Sequence, residues 1–483
     1  MKKVFSLLLL ACMLIGLIGC SQKPAEQQSA ITDTELSGLC VGYSIVDITP
    51  KEATPLRGFG ASQHRISNDV QYPLKATCIA LTGEDGNTVL LLEVDLVSAE
   101  DFIYDARVLI NKATGVPEDR IMIAGSHTHA GPDLSQFTFP SVENYRLYLM
   151  EQLQKVSVEA LADRKSAEAW YGSAETSGLN FVRNYKQVDE NGNEEYFGDN
   201  YGQLVTPNNT AQGMTEADPT LHVVKFTRQG EKDIVLCNFR AHPSFHGSSS
   251  KYAVSADFIG AFREAMILQH DCEFMYVQGA CGNINSYSRN PSVTDITDCE
   301  QYGALLTQTA TEAMQNMTKG SGMSVKHKQM IIDGEVNHEM DSLVIQARNI
   351  STVWNLNRDV YECIEMGAPY GIRSPFHANA ITARSKIGPT QPYELNVITV
   401  GDSIAFAVCP FEMYDTLSVM LEEQAPYSHV FMVGYANEKI CYMPSAYGFE
   451  YTCYESDTCR FVAGTGEIIV EHLLNAMEEL KNS

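Results

Sequence analysis

The chain has 483 residues, of which 44% are hydrophobic and 9% aromatic, a composition typical of a globular protein. Its formal net charge of −26 argues against nucleic acid or an anionic membrane surface as the main partner, because both are negatively charged themselves. The 13 cysteines show no regular spacing and indicate no disulfide framework, although Cys453 and Cys459 are close enough in sequence to pair locally.

The N-terminal segment has the features of a bacterial lipoprotein signal. Two lysines precede the apolar residues 4–18, a stretch that is short for a membrane span, and the following LIGC resembles a lipobox ending at Cys20. We expect a signal peptide over residues 1–19 and a lipid on Cys20; an ordinary secretory signal or an uncleaved anchor is the alternative. The polar residues 20–38 predict a flexible tether. These features predict a cell-surface or periplasmic protein held at the membrane by its lipid.

From residue 39 onward, apolar runs that end in polar residues alternate with helical patterns. The predicted strands are residues 88–95, 121–124, 233–239, 274–277, 404–408 and 430–433, and the predicted helices are residues 101–114, 145–162, 258–270, 300–317 and 412–424. This alternation predicts one large α/β domain over residues 39–483, with a mixed or parallel sheet as its core and flanking helices. Ligands of such domains gather at the carboxyl ends of strands.

Histidines and a glutamate stand at several of these strand ends. His127 and His129 follow the second strand, and residues two apart in an extended segment point to the same side. His242 follows another strand and precedes a proline, with His246 as its competitor, and Glu412 follows a third. These residue types suit zinc, whose catalytic sites use about three protein ligands. The alternatives are a hydrogen-bonded structural histidine and, for Glu412, charge compensation at a helix N-terminus.

A series of short motifs extends the pattern along the chain between Gly42 and Glu467. In order they are GYSIVDITP, RGFG, HTHAGP, NFVR, DPTLHVVKF, AHPS, VSAD, PFE, CYMP and YE. In this order they resemble the neutral ceramidase family, the zinc amidases that cleave the N-acyl bond of ceramide. HTHAGP is the most specific of these motifs. The others are informative because they occur in the same order as in the family.

The resemblance implies a set of site residues and roles. The implied zinc ligands are His127, His242, Glu412 and Tyr442, and the implied substrate-facing residues are His129 and Arg183. Tyr435 and Tyr447 stay open as alternatives to Tyr442, because CYMP lacks the threonine pair of the family motif. Gly279 stands where the family has a serine proposed as nucleophile or substrate contact. The chain also ends soon after the last motif, so we expect no C-terminal β-sandwich.

The expected mechanism is hydrolysis by water that a bound zinc ion activates. His129 is the expected proton carrier, and Arg183 or a tyrosine hydroxyl would stabilise the oxyanion. Asp95 and Asp257 are candidates for orienting a ligand imidazole, with turn or cap formation as the alternative, especially for Asp257 before a helix.

The expected activity is zinc-dependent cleavage of an N-acyl amide bond in ceramide or a ceramide-like lipid. One alternative is a metal-dependent hydrolase of another amide or ester, because an HxH motif after an early strand also occurs in amidohydrolase barrels. The other alternative is a non-catalytic surface lipoprotein that binds a lipid or a glycan. The sequence does not determine the oligomeric state.

Overall fold

The computed structural model describes residues 37–483 except 60–61, 101, 199–207, 209, 246–250, 289–295, 297 and 452. The predicted signal peptide, the predicted lipid site at Cys20, the tether up to residue 36 and His246 lie outside the described residues.

The strands are β1 (Cys40–Asp47), β2 (Asp69–Tyr72), β3 (Lys75–Thr82), β4 (Thr88–Val94), β5 (Ile121–Gly125), β6 (Lys165–Glu175), β7 (Phe181–Val182), β8 (Asn184–Val188), β9 (Glu194–Gly198), β10 (Gln212–Gly213), β11 (Thr220–Arg228), β12 (Ile234–Phe239), β13 (Ala253–Ser255), β14 (Glu273–Gln278), β15 (Ile284–Asn285), β16 (Thr318–Lys319), β17 (Val325–Glu335), β18 (Thr390–Val400), β19 (Ile404–Val408), β20 (Glu412–Met413), β21 (His429–Val433) and β22 (Tyr442–Met443). The helices are α1 (Ile103–Thr114), α2 (Pro140–Ala162), α3 (Asp257–His270), α4 (Cys299–Gln315), α5 (Val344–Asn357), α6 (Val360–Gly367), α7 (Pro375–Arg384), α8 (Asp415–Gln424), α9 (Ala446–Glu450), α10 (Tyr454–Thr458) and α11 (Thr465–Asn482).

Two sheets form the centre of the fold. The large sheet has the order β14-β12-β11-β6-β1-β3-β4-β5, with β16 beside β6, and the smaller sheet has the order β17-β18-β19-β21. Neighbouring strands are antiparallel except for the parallel pairs β4–β5, β12–β14 and β19–β21. The predicted fold class, a mixed sheet core with flanking helices, is confirmed.

The three parallel pairs belong to one local unit that occurs three times: a hairpin, a helix and a strand parallel to the second strand of the hairpin. The units are β3-β4-α1-β5, β11-β12-α3-β14 and β18-β19-α8-β21. A helix occurs in each because parallel neighbours need a long crossover connection. Each unit therefore presents two strand ends on the same side, and His127, His242 and Glu412 follow strands of the three units.

The large sheet curls until its two edge strands, β14 and β5, contact each other. Residues 434–437, which follow β21, join these edges. Their main chain donates a hydrogen bond to the carbonyl of Gln278 on β14 at 3.1 Å, accepts one from Gly125 of β5 at 3.2 Å and donates one to Ile123 of β5 at 2.8 Å. The segment that follows the last strand of the smaller sheet thus joins the two edges of the large sheet.

Apolar side chains fill three layers between helices and sheets. Leu90 and Leu92 of β4 face α1 and α2, while Leu91 between them faces the smaller sheet. The third layer packs the smaller sheet against α8 and α11. Because helices or a second sheet cover both faces, the central strands are apolar along their whole length instead of alternating.

A helical insertion of α5, α6 and α7 lies between β17 and β18 and has its own small apolar core. Arg384 of α7 donates hydrogen bonds to the carbonyls of Asp457 at 3.1 Å and Cys459 at 2.6 Å. Phe376 of α7 packs edge-on against Tyr454, with 5.5 Å between ring centroids. The insertion, which the sequence patterns did not predict, therefore packs beside the segment that carries the last motif.

The helices predicted near residues 101–114, 145–162, 258–270 and 300–317 are α1 to α4, with ends shifted by five residues or fewer. The predicted start of the fifth helix at Glu412 is wrong. Glu412 donates its main-chain N–H to the carbonyl of Cys441 at 3.1 Å within the β20–β22 pair, and α8 begins at Asp415. Among the described residues, no helix has the length and apolarity of a membrane span.

One largely buried ion pair links α1 to the smaller sheet. Arg107 donates two hydrogen bonds to Glu394 of β18, at 2.9 and 2.6 Å, and Asn437 donates a third at 2.8 Å. Burial opposes the ionisation of Glu394, but Arg107 outweighs it and lowers the pKa to about 2 from 4.5. The pair therefore stabilises the fold fully above pH 4.5, and this stabilisation is lost as the pH falls toward 2.

We predict that Glu394→Gln lowers the free energy of unfolding at pH 7 by about 2 kcal/mol, because it leaves the Arg107 charge largely buried without its counter-ion. Urea unfolding at pH 7 and pH 3 should show a smaller difference at pH 3. The control is Glu168→Gln, which removes the exposed partner of Lys319 and should change the free energy by less than about 0.5 kcal/mol. Equal losses in both variants would contradict the prediction.

Candidate metal centre

His127 lies two residues beyond β5, in the left-handed region of backbone space at φ 66°. Its main-chain N–H donates to the carbonyl of Leu96 at 3.0 Å, and its ring Nδ1 lies 2.9 Å from the carbonyl of Val97. A carbonyl only accepts, so Nδ1 carries the proton and Nε2 presents a lone pair. Two main-chain carbonyls thus orient this ring.

His242 follows β12 and is held in the same way. Its main-chain N–H donates to the carbonyl of Ile284 at 3.1 Å, and its Nδ1 lies 2.9 Å from that same oxygen. The residue also forms an isolated parallel bridge with Asn285 of β15. Nε2 of His242 therefore carries the lone pair of this ring and points away from the main chain, as Nε2 of His127 does.

Glu412 of β20 brings a carboxylate to both imidazoles. Its Oε2 lies 3.4 Å from Nε2 of His127 and 3.4 Å from Nε2 of His242, and it has no hydrogen-bond partner. Its other oxygen, Oε1, pairs with the ammonium of Lys439 at 3.0 Å. All three predicted residues are 1% exposed, so the carboxylate oxygen without a partner is enclosed by protein.

His129 joins the same cluster from the more exposed side. Its Nε2 lies 3.3 Å from Nε2 of His127, and its Nδ1 is buried without a partner. One ring nitrogen from each of His127, His129 and His242 falls within 4.8 Å of the others. The edge of Phe59 covers the His129 ring at a centroid distance of 5.0 Å. The two histidines of the HTH motif therefore belong to one cluster, as predicted. The reason given for it is wrong, because the backbone of His127 is left-handed and not extended.

Burial sets the charges of the cluster. Desolvation lowers the pKa of His127, lowers that of His242 to about 4, and lowers that of His129 well below its usual value, helped there by the neighbouring imidazoles. Burial opposes the ionisation of Glu412, but its surroundings, chiefly the ammonium of Lys439, outweigh burial and hold its pKa well below the usual range. At neutral pH the cluster thus contains neutral imidazoles and an ionised carboxylate, the protonation states that metal ligands require.

These residues fit a divalent metal ion. Neutral imidazole nitrogens and a carboxylate oxygen are ligands for zinc and for other first-row transition metals. The buried Oε2 of Glu412 and Nδ1 of His129 lack partners, and a buried polar atom without a partner is costly unless something binds it. A bound cation between His127, His242 and Glu412 removes that cost at the carboxylate.

Arg183 and Tyr442 form the wall beside His242. Arg183 follows β7, ion-pairs with Glu455 at 2.7 Å and has Nη1 3.5 Å from Nε2 of His242. Its guanidinium lies 5.2 Å from the centroid of the Tyr442 ring, and β22 places Tyr442 opposite Glu412. The structure thus brings both predicted residues to the cluster, and their predicted roles stay predictions.

The two alternative tyrosines have other positions. Tyr435 stacks on the His127 ring at a centroid distance of 3.9 Å, but its hydroxyl lies 3.0 Å from the sulfur of Cys281. Tyr447 of α9 is 46% exposed and packs against Tyr451. Of the three, Tyr442 is the one beside Arg183 and Glu412.

Asp95 and Asp257 do not have the predicted role of orienting the rings of His127 and His242, whose Nδ1 atoms bond to main-chain carbonyls. Asp95 instead pairs with Arg263 at 2.9 Å and accepts a hydrogen bond from the N–H of Lys75 at 2.8 Å. Asp257 is the first residue of α3 and accepts from the N–H of the adjacent Phe258, but the N-cap is Ala256, so Asp257 is not the helix cap either. Every residue has a main-chain carbonyl, so the sequence could not show which carbonyls bond to the histidine rings.

Gly279 follows β14 and is tightly enclosed. A Cβ atom there would lie 2.9 Å from Cγ of Arg240 and 2.9 Å from the carbonyl oxygen of Phe239. A side chain at this position would therefore require Arg240 or the main chain of Phe239 to move, which agrees with the glycine that stands there instead of the family serine.

Sequence reasoning missed one residue of the centre and gave no role to two others. Lys439 lies in a short loop and carried no motif, although it is the charge partner of Glu412. Glu455, which holds Arg183, and Tyr454 were part of the YE motif but had no predicted role. Burial raises the pKa of Tyr454 to about 12, with Glu412 contributing, so its hydroxyl stays protonated.

Comparisons with known proteins agree with this architecture. No protein-family model matches the sequence, and no curated protein matches it. The solved structure of neutral ceramidase from Pseudomonas aeruginosa is similar with a TM-score of 0.67 and 16% identity, covering 93% of this chain and 75% of that chain. The chain has the fold of a neutral ceramidase. A ceramidase described as complexed with C2 is similar with a TM-score of 0.66 and 15% identity, covering 92% and 76% of the two chains. The family resemblance is thus confirmed for the fold.

We predict that the purified protein holds about one divalent transition-metal ion per chain and that His127→Ala and Glu412→Gln each weaken its binding more than about 100-fold. Elemental analysis after dialysis against a competing chelator measures the loss. His338→Ala is the control, because His338 pairs with Asp341 and is not part of the cluster. Retention of the ion by both site variants, with their folds intact by circular dichroism, would exclude the site.

Proposed function

We propose that this chain is a metal-dependent hydrolase that cleaves an N-acyl amide bond, with ceramide or a ceramide-like N-acyl lipid as its substrate. The observation that carries the proposal is the partnerless Oε2 of Glu412, which lies 3.4 Å from Nε2 of both His127 and His242. A metal centre of this kind can catalyse several hydrolytic reactions. The fold shared with neutral ceramidase supports amide hydrolysis among them by analogy.

We propose zinc as the metal, held by His127, His242, Glu412 and Tyr442. Neutral imidazoles and a carboxylate suit zinc, and Tyr442 is supported as the fourth ligand by its pairing with Glu412 across β20 and β22. When bound, zinc would supply a Lewis acid and lower the pKa of a water on it to about 7.

His129 and Arg183 are proposed to act on the substrate. The partnerless Nδ1 of His129 can accept a proton from water and return it to the leaving amine. Burial, helped by the neighbouring imidazoles, lowers the pKa of His129 and keeps its ring neutral at neutral pH. Arg183, which Glu455 holds at 2.7 Å, can stabilise negative charge on the amide oxygen.

Water is the proposed nucleophile. Gly279 has no hydroxyl, and the contacts of 2.9 Å that any Cβ would make there leave no space for one. A direct attack by water needs no side chain at this position, so the tight packing of Gly279 is compatible with turnover.

We predict that the full chain in detergent releases fatty acid from a fluorescent N-acyl sphingosine, that a chelator abolishes the release and that zinc restores it. His129→Ala should keep its metal and lower kcat by about 10² to 10⁴-fold, because it removes the proton carrier. Loss of the metal from this variant would make His129 a ligand instead.

The substrate panel for this assay includes N-acyl amino acids and fatty-acid esters. Preferential turnover of an ester or of another amide would contradict ceramide as the substrate while leaving the metal centre in place. Binding of labelled ceramide without any turnover, with metal bound, would favour a lipid-binding lipoprotein and contradict the enzyme.

We also propose that the chain is a lipoprotein anchored through Cys20 at the cell surface or in the periplasm, on the basis of the apolar stretch and the LIGC motif. We predict that cells expressing the full chain yield it in the detergent phase of a Triton X-114 separation. Cys20→Ala should move it to the aqueous phase or leave an uncleaved precursor. Identical partitioning and identical mass of the two proteins would contradict lipidation.

A further inference from the structure

A buried asparagine and a buried aspartate bond to each other where the segments that carry the metal centre meet. Asn283 immediately precedes β15 and is 0% exposed, and Asp415 is the first residue of α8 and is 1% exposed. The side-chain amide of Asn283 donates to Oδ1 of Asp415 at 2.7 Å. The main-chain N–H of Asp415 donates in return to Oδ1 of Asn283 at 3.0 Å. Two hydrogen bonds in opposite directions thus join segments that are 132 residues apart in sequence.

The main chain around Asn283 holds two residues of the centre. The carbonyl of Asn283 accepts the main-chain N–H of Arg183 at 2.9 Å. The carbonyl of the next residue, Ile284, accepts the main-chain N–H of His242 at 3.1 Å and lies 2.9 Å from Nδ1 of the same residue. The position of this segment therefore determines where Arg183 lies and how the ring of His242 is oriented.

On the other side of the pair, Asp415 follows the carboxylate ligand Glu412 by three residues. The main-chain N–H of Gly282 donates to the carbonyl of Met413 at 2.7 Å, and a Cβ atom on Gly282 would collide with the carbonyl oxygen of Glu412. The two segments therefore pack main chain against main chain. The pair of Asn283 and Asp415 holds this contact in one register, because a shift of either segment would break both of its hydrogen bonds.

We propose that Asn283 and Asp415 are positioning residues that hold His242 and Glu412 at the separation that a bound metal ion requires. The proposal rests on the metal centre of the proposed function and adds the pair that sets the geometry of that centre. Each side chain acts through the main chain beside a ligand and not by contact with the metal. Groups that orient metal ligands typically change metal affinity by about 10 to 100-fold when they are replaced.

The test measures the zinc affinity of the full chain at pH 8 by competition with a chelator, well below the unfolding temperature. Burial raises the pKa of Asp415 to about 6, so this carboxylate is ionised at pH 8. Asn283→Asp places a second carboxylate against it, and the affinity should fall at least about 10-fold. Adding Asp415→Asn to the same chain exchanges the amide and the carboxylate. Both hydrogen bonds can then form again, donated from position 415, and most of the lost affinity should return.

The matched control is Asn193→Asp, because Asn193 donates to Asp189 at 3.1 Å in a solvent-exposed pair, and its zinc affinity should equal that of the wild type. A merely structural role of Asn283 would lower the unfolding temperature and leave the affinity of the folded protein unchanged.

Equal affinities of the wild type and Asn283→Asp would overturn the proposal. A double variant that binds zinc as weakly as Asn283→Asp, or that does not fold, would overturn it too, and the double variant decides the matter where Asn283→Asp does not fold. A wild-type chain that binds no zinc would refute the metal centre itself, whereas zinc bound with equal affinities refutes only the positioning pair. Turnover is not measured, so the choice of substrate does not affect the result.

Discussion

The closure of the large sheet by residues 434–437 is the constraint on which the site depends. These residues hydrogen-bond to both edge strands, β14 and β5, which lie at opposite ends of the strand order. Closure brings the carboxyl ends of strands from both halves of the sheet together, and His127 and His242 follow two of those strands. Tyr435, within the closing segment, also stacks on the ring of His127. Its φ of 56° is a conformation that a tyrosine adopts only when its surroundings require it.

The buried carboxylate of Glu412 imposes a second constraint on the site. Removing Glu412 from water is costly, and the cost must be met by a cation or by hydrogen bonds. Lys439 neutralises one oxygen only, and the imidazoles cannot serve the other as cations because burial lowers the pKa of both His127 and His242. A divalent ion satisfies the free oxygen and the lone pairs at once. Burial thus favours a metal over protonated histidines.

The sequence predicted those parts of the fold and site that local patterns encode. The apolar runs of β4 and β5 indicated strands, and the HTH motif after β5 indicated two histidines at a strand end. The order of the motifs pointed to Arg183 and Tyr442, which no spacing argument reaches. The curl of the sheet, the helical insertion and the partnership of Lys439 with Glu412 arise from contacts between distant segments. No local sequence pattern encodes contacts between distant segments, so these features could be identified only from the structure.

The cysteines show how sequence proximity can mislead. Cys453 and Cys459 are six residues apart, yet the helix α10 separates them, with Cys453 as its N-cap and Cys459 as its C-cap. Side chains on a helix face each other at spacings of three or four residues, so a spacing of six turns these two sulfurs apart. Cys441 lies outside this helix, immediately before β22, which pairs with β20 and sets Tyr442 opposite Glu412. One strand pairing therefore positions two residues of the metal centre relative to each other.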